Sequence, residues 1–221
     1  MKYPVVLIGS SGHAKVVADT IEREGKYSLI GLIDSFRPPD DRTQPYRILG
    51  TEETLATLVA RGEVYGGVVA IGDNWQRHVM AQRIKSLAPA FVFVNAIHPS
   101  AQIAASVRIG EGTVIMAGAV VNSDCSIGAC CILNTRSSLD HDSIMNDFSS
   151  LAPNATTGGN VAIGAFAAVS LGASVIHRRH IGAHAVIGAG AVVLNDVPDY
   201  SVAYGAPAKV VRQRLPSDTY L

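Results

Sequence analysis

His141 stands directly before Asp142, and Gly159 follows it by eighteen residues. An imidazole beside a carboxylate can work as a general base. The acid fixes the ring's tautomer and raises its basicity, so the far nitrogen can take a proton from an attacking group. Asn134 lies seven residues before His141. An exposed histidine among solvated neighbours is the competing reading of the same residues.

A second set lies near the N-terminus. Gly9-Ser10-Ser11-Gly12-His13 follows an apolar run and opens a helix, where free backbone amides favour phosphate; Lys15 adds a charge nearby. Asp34-Ser35 ends a second apolar run and places an acid to bond ribose hydroxyls. Gly72-Asp73-Asn74 ends a third, with Arg77 one turn later. Gly9-x-x-Gly12 lacks the third glycine of the dinucleotide fingerprint, which argues against NAD. Each segment alone reads as an ordinary tight turn. Together at one sheet edge they predict a nucleotide or nucleotide-sugar site.

Two kinds of element must hold these residues. Through residue 95 the chain alternates strand and helix. Val5–Ile8, Leu29–Ile33, Val68–Ile71 and Phe91–Val94 read as strands. Gly12 to Gly25, Thr51 to Ala60 and Asn74 to Ala88 read as helices, the second with Thr51 as its cap. This alternation predicts a small parallel sheet with helices on its faces, and Arg37 to Arg42 reads as a loop.

From residue 96 a six-residue beat takes over. Ile97, Ile103, Ile109 and Ile115 begin a series of large apolar residues that runs to Val193, broken only at Thr157. A small residue follows four places after each of the first sixteen, except at Arg179. No helix has a period of six. A triangular coil of three short strands does, with a large residue inside each side and a small one at each corner. Gly110, Gly128, Asn146, Gly164 and Gly182 recur every eighteen residues, predicting tight turns on about five coils. His141 then emerges at a corner, two residues past the inward Leu139. Gly159 falls at the same angle one coil on, about 5 Å along the stack, and Asn134 falls on the preceding corner. The beat slips at Thr157-Gly158-Gly159, and the turn His177-Arg178-Arg179-His180 is expected to bulge outward. The domains are residues 1–95 and 96–221.

The bulk composition excludes several classes. The 18 Lys and Arg balance 18 Asp and Glu, so no polyanion-binding surface is implied and nucleic acid is not an expected partner. No leader-like segment opens the sequence and no apolar run approaches a membrane span. Cys125 and Cys131 fall on the small inward beat, and Cys130 lacks zinc-site spacing. A reduced, cytoplasmic protein with no metal is expected.

At this point the chain resembles a known family. The resemblance is carried by Gly9-Ser10-Ser11-Gly12-His13, Val69-Ala70-Ile71-Gly72-Asp73-Asn74, Asn95-Ala96-Ile97-His98-Pro99, Asn134-Thr135, Asp140-His141-Asp142 and the terminal Gly205-Ala206-Pro207-Ala208-Lys209. It is to the hexapeptide-repeat acyltransferases, in the branch where a Rossmann-like α/β domain precedes a left-handed parallel β-helix. The left hand comes from the resemblance alone, since the crossover rule would give a right-handed turn. The resemblance implies acetyl transfer from acetyl-CoA to the amino group of a nucleotide-linked 4-amino-deoxy sugar in bacterial surface glycan synthesis. Transfer to a hydroxyl, as in relatives of sialic acid O-acetyltransferase type, is the alternative. A homotrimer is implied, with His141 as general base supported by Asp142, the Gly159 amide as oxyanion donor, and Asn134 grouped with them. Coenzyme A would lie in a groove between subunits, with Gly188 and Ala189 on its pantetheine arm and Lys209 and Arg212 on its phosphates.

Two other classes fit parts of the pattern. β-Helix carbonic anhydrases bind zinc through histidines, and His141 and His177 lie two coils apart with His180 and His184 nearby. That reading leaves the front domain without a purpose. A non-catalytic sugar-nucleotide binder on the same coils leaves His141-Asp142 without one.

Overall fold

A computed structural model of the chain describes residues 2–43 and 45–219. The front part holds β1 (Tyr3–Ile8), α1 (Gly12–Glu24), β2 (Tyr27–Ile33), β3 (Arg42–Thr43), β4 (Tyr46–Gly50), α2 (Glu52–Ala60), β5 (Gly66–Val69), α3 (Asn74–Leu87) and β6 (Val92–Phe93). They form one sheet in the order β3-β4-β2-β1-β5-β6, parallel throughout except where β3 meets β4. Central β1 is apolar at consecutive positions because both faces are covered. Val5 and Leu7 pack with Val17 and Ile21 of α1. Val6 and Ile8 pack with Leu55 of α2 and Ile84 of α3.

The β3–β4 hairpin is absent from the sequence reading, which had Arg37 to Arg42 as a loop. β4 offers only Ile48 as a fully buried branched side chain, and its pairing with β2 is what makes it a strand. Too little periodicity exists in five residues to announce it.

Strands β7 (Ala96–Ile97) through β23 (Val192–Val193) follow, two residues each and six residues apart. Through β20 each pairs in parallel with the strand eighteen residues on, as in Val114↔Ile132 and Ile115↔Leu133. Three sheets result, and they wall a left-handed parallel β-helix. The second residue of each strand points inward: Leu133, Leu139, Met145 and Leu151 are all at most 1% exposed. β24 (Ser201–Tyr204) continues the first wall, and β25 (Lys209–Gln213) turns back on it antiparallel. Among the described residues no helix is long and apolar enough to cross a membrane.

The corners correct one expectation. Every sixth residue from Gly112 to Gly190 is left-handed, with φ between 51° and 69°, and most are not glycine: Asp124, Cys130, Arg136, Asp142 and Phe148 among them. The glycines spaced by eighteen serve another need. A Cβ on Gly164 would sit 2.4 Å from the Ala183 nitrogen, and one on Gly128 would sit 2.7 Å from the Asp147 nitrogen. At these glycines the next coil crowds the corner, so the constraint is contact rather than torsion, while Asn146 at the equivalent place carries a side chain whose Nδ2 donates to the Ile163 carbonyl at 3.0 Å. The His177–His180 turn likewise keeps its register. Arg178 has φ 58° and donates its N–H to the Gly159 carbonyl at 2.9 Å; His177, Arg178 and His180 are exposed, and Arg179 is half-buried with its guanidinium 3.7 Å from Asp196.

One corner joins the two parts. Phe148, Phe166, His184 and Tyr200 stack there with ring centroids 5.5, 4.5 and 4.8 Å apart in turn. Trp75 and His78 of α3 pack edge-on or tilted against this ladder.

Candidate active site and nucleotide pocket

The strand Ser138–Leu139 buries Leu139 and then releases the chain into a corner. Asp140 fixes that corner by accepting the His141 N–H at 2.8 Å, and Asp142 adopts the left-handed conformation. Asp142 Oδ2 then meets His141 Nδ1 at 2.7 Å. This bond is the chief cause raising the imidazole pKa above its ordinary value. With Nδ1 tied to a carboxylate, Nε2 is the nitrogen left to exchange a proton.

Gly159 lies against that ring. A Cβ on Gly159 would be 2.5 Å from both Cε1 and Nε2 of His141. The slip of the hydrophobic beat has a structural counterpart here. Asp140 donates its N–H to the Thr157 hydroxyl at 3.1 Å, whereas one coil earlier Asn122 donates to the Leu139 carbonyl. The amides of Gly158 and Asn160 bond to Val175 and His141 carbonyls. The Gly159 amide has no protein acceptor among the described residues.

Asn134 sits elsewhere. It follows the strand Ile132–Leu133 and therefore belongs to a different corner of the same coil from His141. It lines a groove of about 650 Å³ together with His13, Gly72, Gly188 and Ala189. So within one chain Asn134 and His141 do not share a reacting centre. His13 moves from the expected nucleotide set to this groove. Burial, helped by the Arg77 charge, pushes its pKa down to about 4. Its ring is neutral in ordinary buffers, and its buried Nε2 takes no protein partner among the described residues.

The nucleotide set is divided by the structure. Gly9, Ser10, Ser11, Asp34, Ser35 and Gly72 converge on a pocket of about 450 Å³ at the carboxyl ends of β1, β2 and β5. Gly12 faces a smaller adjoining pocket of about 340 Å³ with Lys15, Arg37 and Arg42. Asp34 accepts from the Ser10 hydroxyl at 2.5 Å and from the Phe36 N–H at 2.8 Å, so it also shapes its own loop.

Three expected substrate contacts serve the fold instead. Asp73 caps α3 by accepting the Gln76 N–H at 2.9 Å. Asn74 is 1% exposed and donates to the Phe166 and Ala167 carbonyls of the coils. Arg77 is 1% exposed and donates to the carbonyls of Cys130, Phe148, Ile71 and Gly72 and to Asn74 Oδ1. A guanidinium engaged on every side by backbone oxygens is a clamp between the two parts, not a phosphate ligand.

Residues that the sequence reading missed take their places. Arg37 reaches Ser10, Thr43 and Asp41 across the pocket edge, and Phe36 and Glu52 line the larger pocket. Arg37 stands among prolines and acids in an apparent loop, so only the β3–β4 hairpin reveals it. Near the other end, a Cβ on Gly188 would sit 2.6 Å from Tyr204 Cβ. Lys209 and Arg212 are exposed on β25, with Arg212 3.6 Å from Asp218.

A Rossmann-like sheet joined by a buried clamp to left-handed coils, with a histidine–carboxylate pair at a coil corner, defines an acyltransferase architecture. The PglD N-terminal domain model matches residues 4–84. The perosamine N-acetyltransferase of Caulobacter crescentus, solved as a histidine-to-asparagine mutant in complex with CoA and GDP-perosamine, is 37% identical. It superposes with a TM-score of 0.89, covering 95% of this chain and 97% of that one. The acetyltransferase domain of PglB from Neisseria gonorrhoeae, solved in complex with acetyl coenzyme A, is 30% identical with a TM-score of 0.85, covering 96% and 100%. UDP-N-acetylbacillosamine N-acetyltransferase of Bacillus subtilis is 36% identical over 114 residues, 51% of each chain. The chain spans about half the length of the curated relatives it matches. The chain belongs to the hexapeptide-repeat acyltransferases that carry a Rossmann-like domain before a left-handed β-helix.

Proposed function

We propose that the chain transfers the acetyl group of acetyl-CoA to the amine of a nucleotide-linked 4-amino-deoxy sugar, in the cytoplasm, during bacterial surface glycan synthesis. The observation that carries this reading is the His141 Nδ1–Asp142 Oδ2 contact of 2.7 Å, with Gly159 of the next coil against the same ring. As the amine attacks the thioester carbon, His141 Nε2 takes the amine proton. A new C–N bond forms and the C–S bond breaks, and the thiolate leaves as coenzyme A. The Gly159 N–H is placed to donate to the carbonyl oxygen as negative charge gathers on it.

The pockets supply the remaining parts. Lys15, Arg37 and the amides at the start of α1 suit a diphosphate. Gly188 and Ala189 suit a narrow arm that tolerates no larger side chain, with Lys209 and Arg212 for phosphate. Because Asn134 and Gly188 share one corner, with His13 of α1 lining the same groove, and His141 occupies another corner, a complete site needs a second copy. We therefore read the working form as a homotrimer, with the three-fold axis bringing one subunit's groove to the next subunit's His141.

Thiol release from acetyl-CoA, followed with UDP-, GDP- and dTDP-linked 4-amino sugars, tests the reading. Turnover with one of them, falling on the order of 10²–10⁴-fold in His141→Ala, is the expected result. Turnover only with hydroxyl acceptors would replace amine by alcohol and keep the base.

A further inference from the structure

We propose that Glu52 reads the base of the bound nucleotide and selects guanine; this rests on the nucleotide reading of the front pocket. Glu52 is the first residue of α2 and is 2% exposed, yet it lines the pocket of about 450 Å³. A carboxylate held that far from water at a ligand pocket needs donors. Among the described residues two are supplied, both on one oxygen: Oε2 accepts from the Ser35 hydroxyl at 2.6 Å and lies 3.3 Å from Arg83 Nε. The second oxygen is the one that the pocket can use.

The rest of that pocket suits a flat, weakly polar group. Ile33, Ile71 and Met80 line it, and the Phe36 ring stands 95% exposed at its edge, where it offers a flat face for stacking. Ser10 and Ser11 border both this pocket and its neighbour, where Gly12 and the cations lie. A diphosphate at the cations therefore directs its base toward Glu52.

Base chemistry then decides. Guanine offers adjacent N1–H and N2–H donors, which suit a carboxylate. Uracil and thymine offer one N–H between two carbonyl oxygens, and those oxygens repel a carboxylate. Adenine presents a ring acceptor beside its amine. The comparisons leave this choice open, since relatives named for GDP-linked and for UDP-linked sugars both match.

Calorimetric titration of the native chain with GDP, IDP, UDP and dTDP tests the inference without any acetyl transfer. The expected order is GDP first, IDP weaker because it lacks the 2-amino group, and UDP and dTDP weaker than GDP by roughly 10- to 100-fold. Glu52→Gln should weaken GDP by a similar factor and leave UDP within threefold of native, erasing the preference. The native ranking needs no variant, so a poorly folded Glu52→Gln protein does not rescue the idea. Binding of UDP or dTDP as tightly as GDP, or an equal loss for all four in Glu52→Gln, overturns the base assignment while leaving a nucleotide pocket. Failure of all four to bind overturns the nucleotide reading as well.

Discussion

Gly159 and His141 touch across neighbouring coils: the position that a Gly159 Cβ would occupy is 2.5 Å from His141 Nε2. The site has no room for even one methyl group without moving the imidazole. Gly159 lacks a left-handed φ, so Gly159→Ala carries no torsional penalty and acts through that contact alone. Steady-state kinetics should show kcat lowered by roughly 10-fold or more, with an unchanged melting temperature. Native kcat in Gly159→Ala would show that the ring does not need its present place.

Asp142 should set the acid limb of the pH–rate profile. The base acts in its neutral form, so activity falls as pH drops through the His141 pKa, which the Asp142 bond raises above its ordinary value. In Asp142→Asn the carboxylate is gone, the pKa falls, and the limb moves to lower pH. The plateau should also drop by about 10-fold or more, because the tautomer is no longer enforced. A limb that stays in place would assign it to another group.

Arg77 should matter to stability rather than to substrate. Arg77→Met leaves the Cys130, Phe148, Ile71 and Gly72 carbonyls without their donor, costing about 3 kcal/mol or more. Urea denaturation followed separately by Trp75 fluorescence and by far-ultraviolet circular dichroism measures it. Because Trp75 packs on the coil ladder, its signal should be lost first if the clamp joins the two parts.

Lys15 should report on phosphate alone. It is exposed beside Ser11 and Gly12 in the small basic pocket. Lys15→Ala should raise KM for the nucleotide sugar by roughly 10-fold at low salt, with a smaller effect at high ionic strength. KM for acetyl-CoA should not change. A rise in both would place the coenzyme's phosphates there instead.

The six-residue beat made the coils legible because every inward position repeats the same environment, and the repeat placed Gly159 over His141 by counting alone. Asp142 was legible as a partner because it is adjacent in sequence. Asp73, Asn74 and Arg77 misled for the opposite reason. Polar residues at the end of a strand look alike whether they face ligand or a second domain, and only the packing of α3 on the aromatic corner separates the two. The same holds for Glu52, whose burial beside the pocket depends on β4 and on Arg83 of α3.

What the sequence determined by itself was periodic or adjacent: the two kinds of fold, the coil corners, the His141–Asp142 pair and the Gly9–Gly12 turn. Tertiary structure alone decided which polar side chains reach a pocket and which are spent joining the two parts. Local order follows from side-chain spacing and backbone geometry, whereas shared pockets follow from long-range contacts between elements that no sequence period connects.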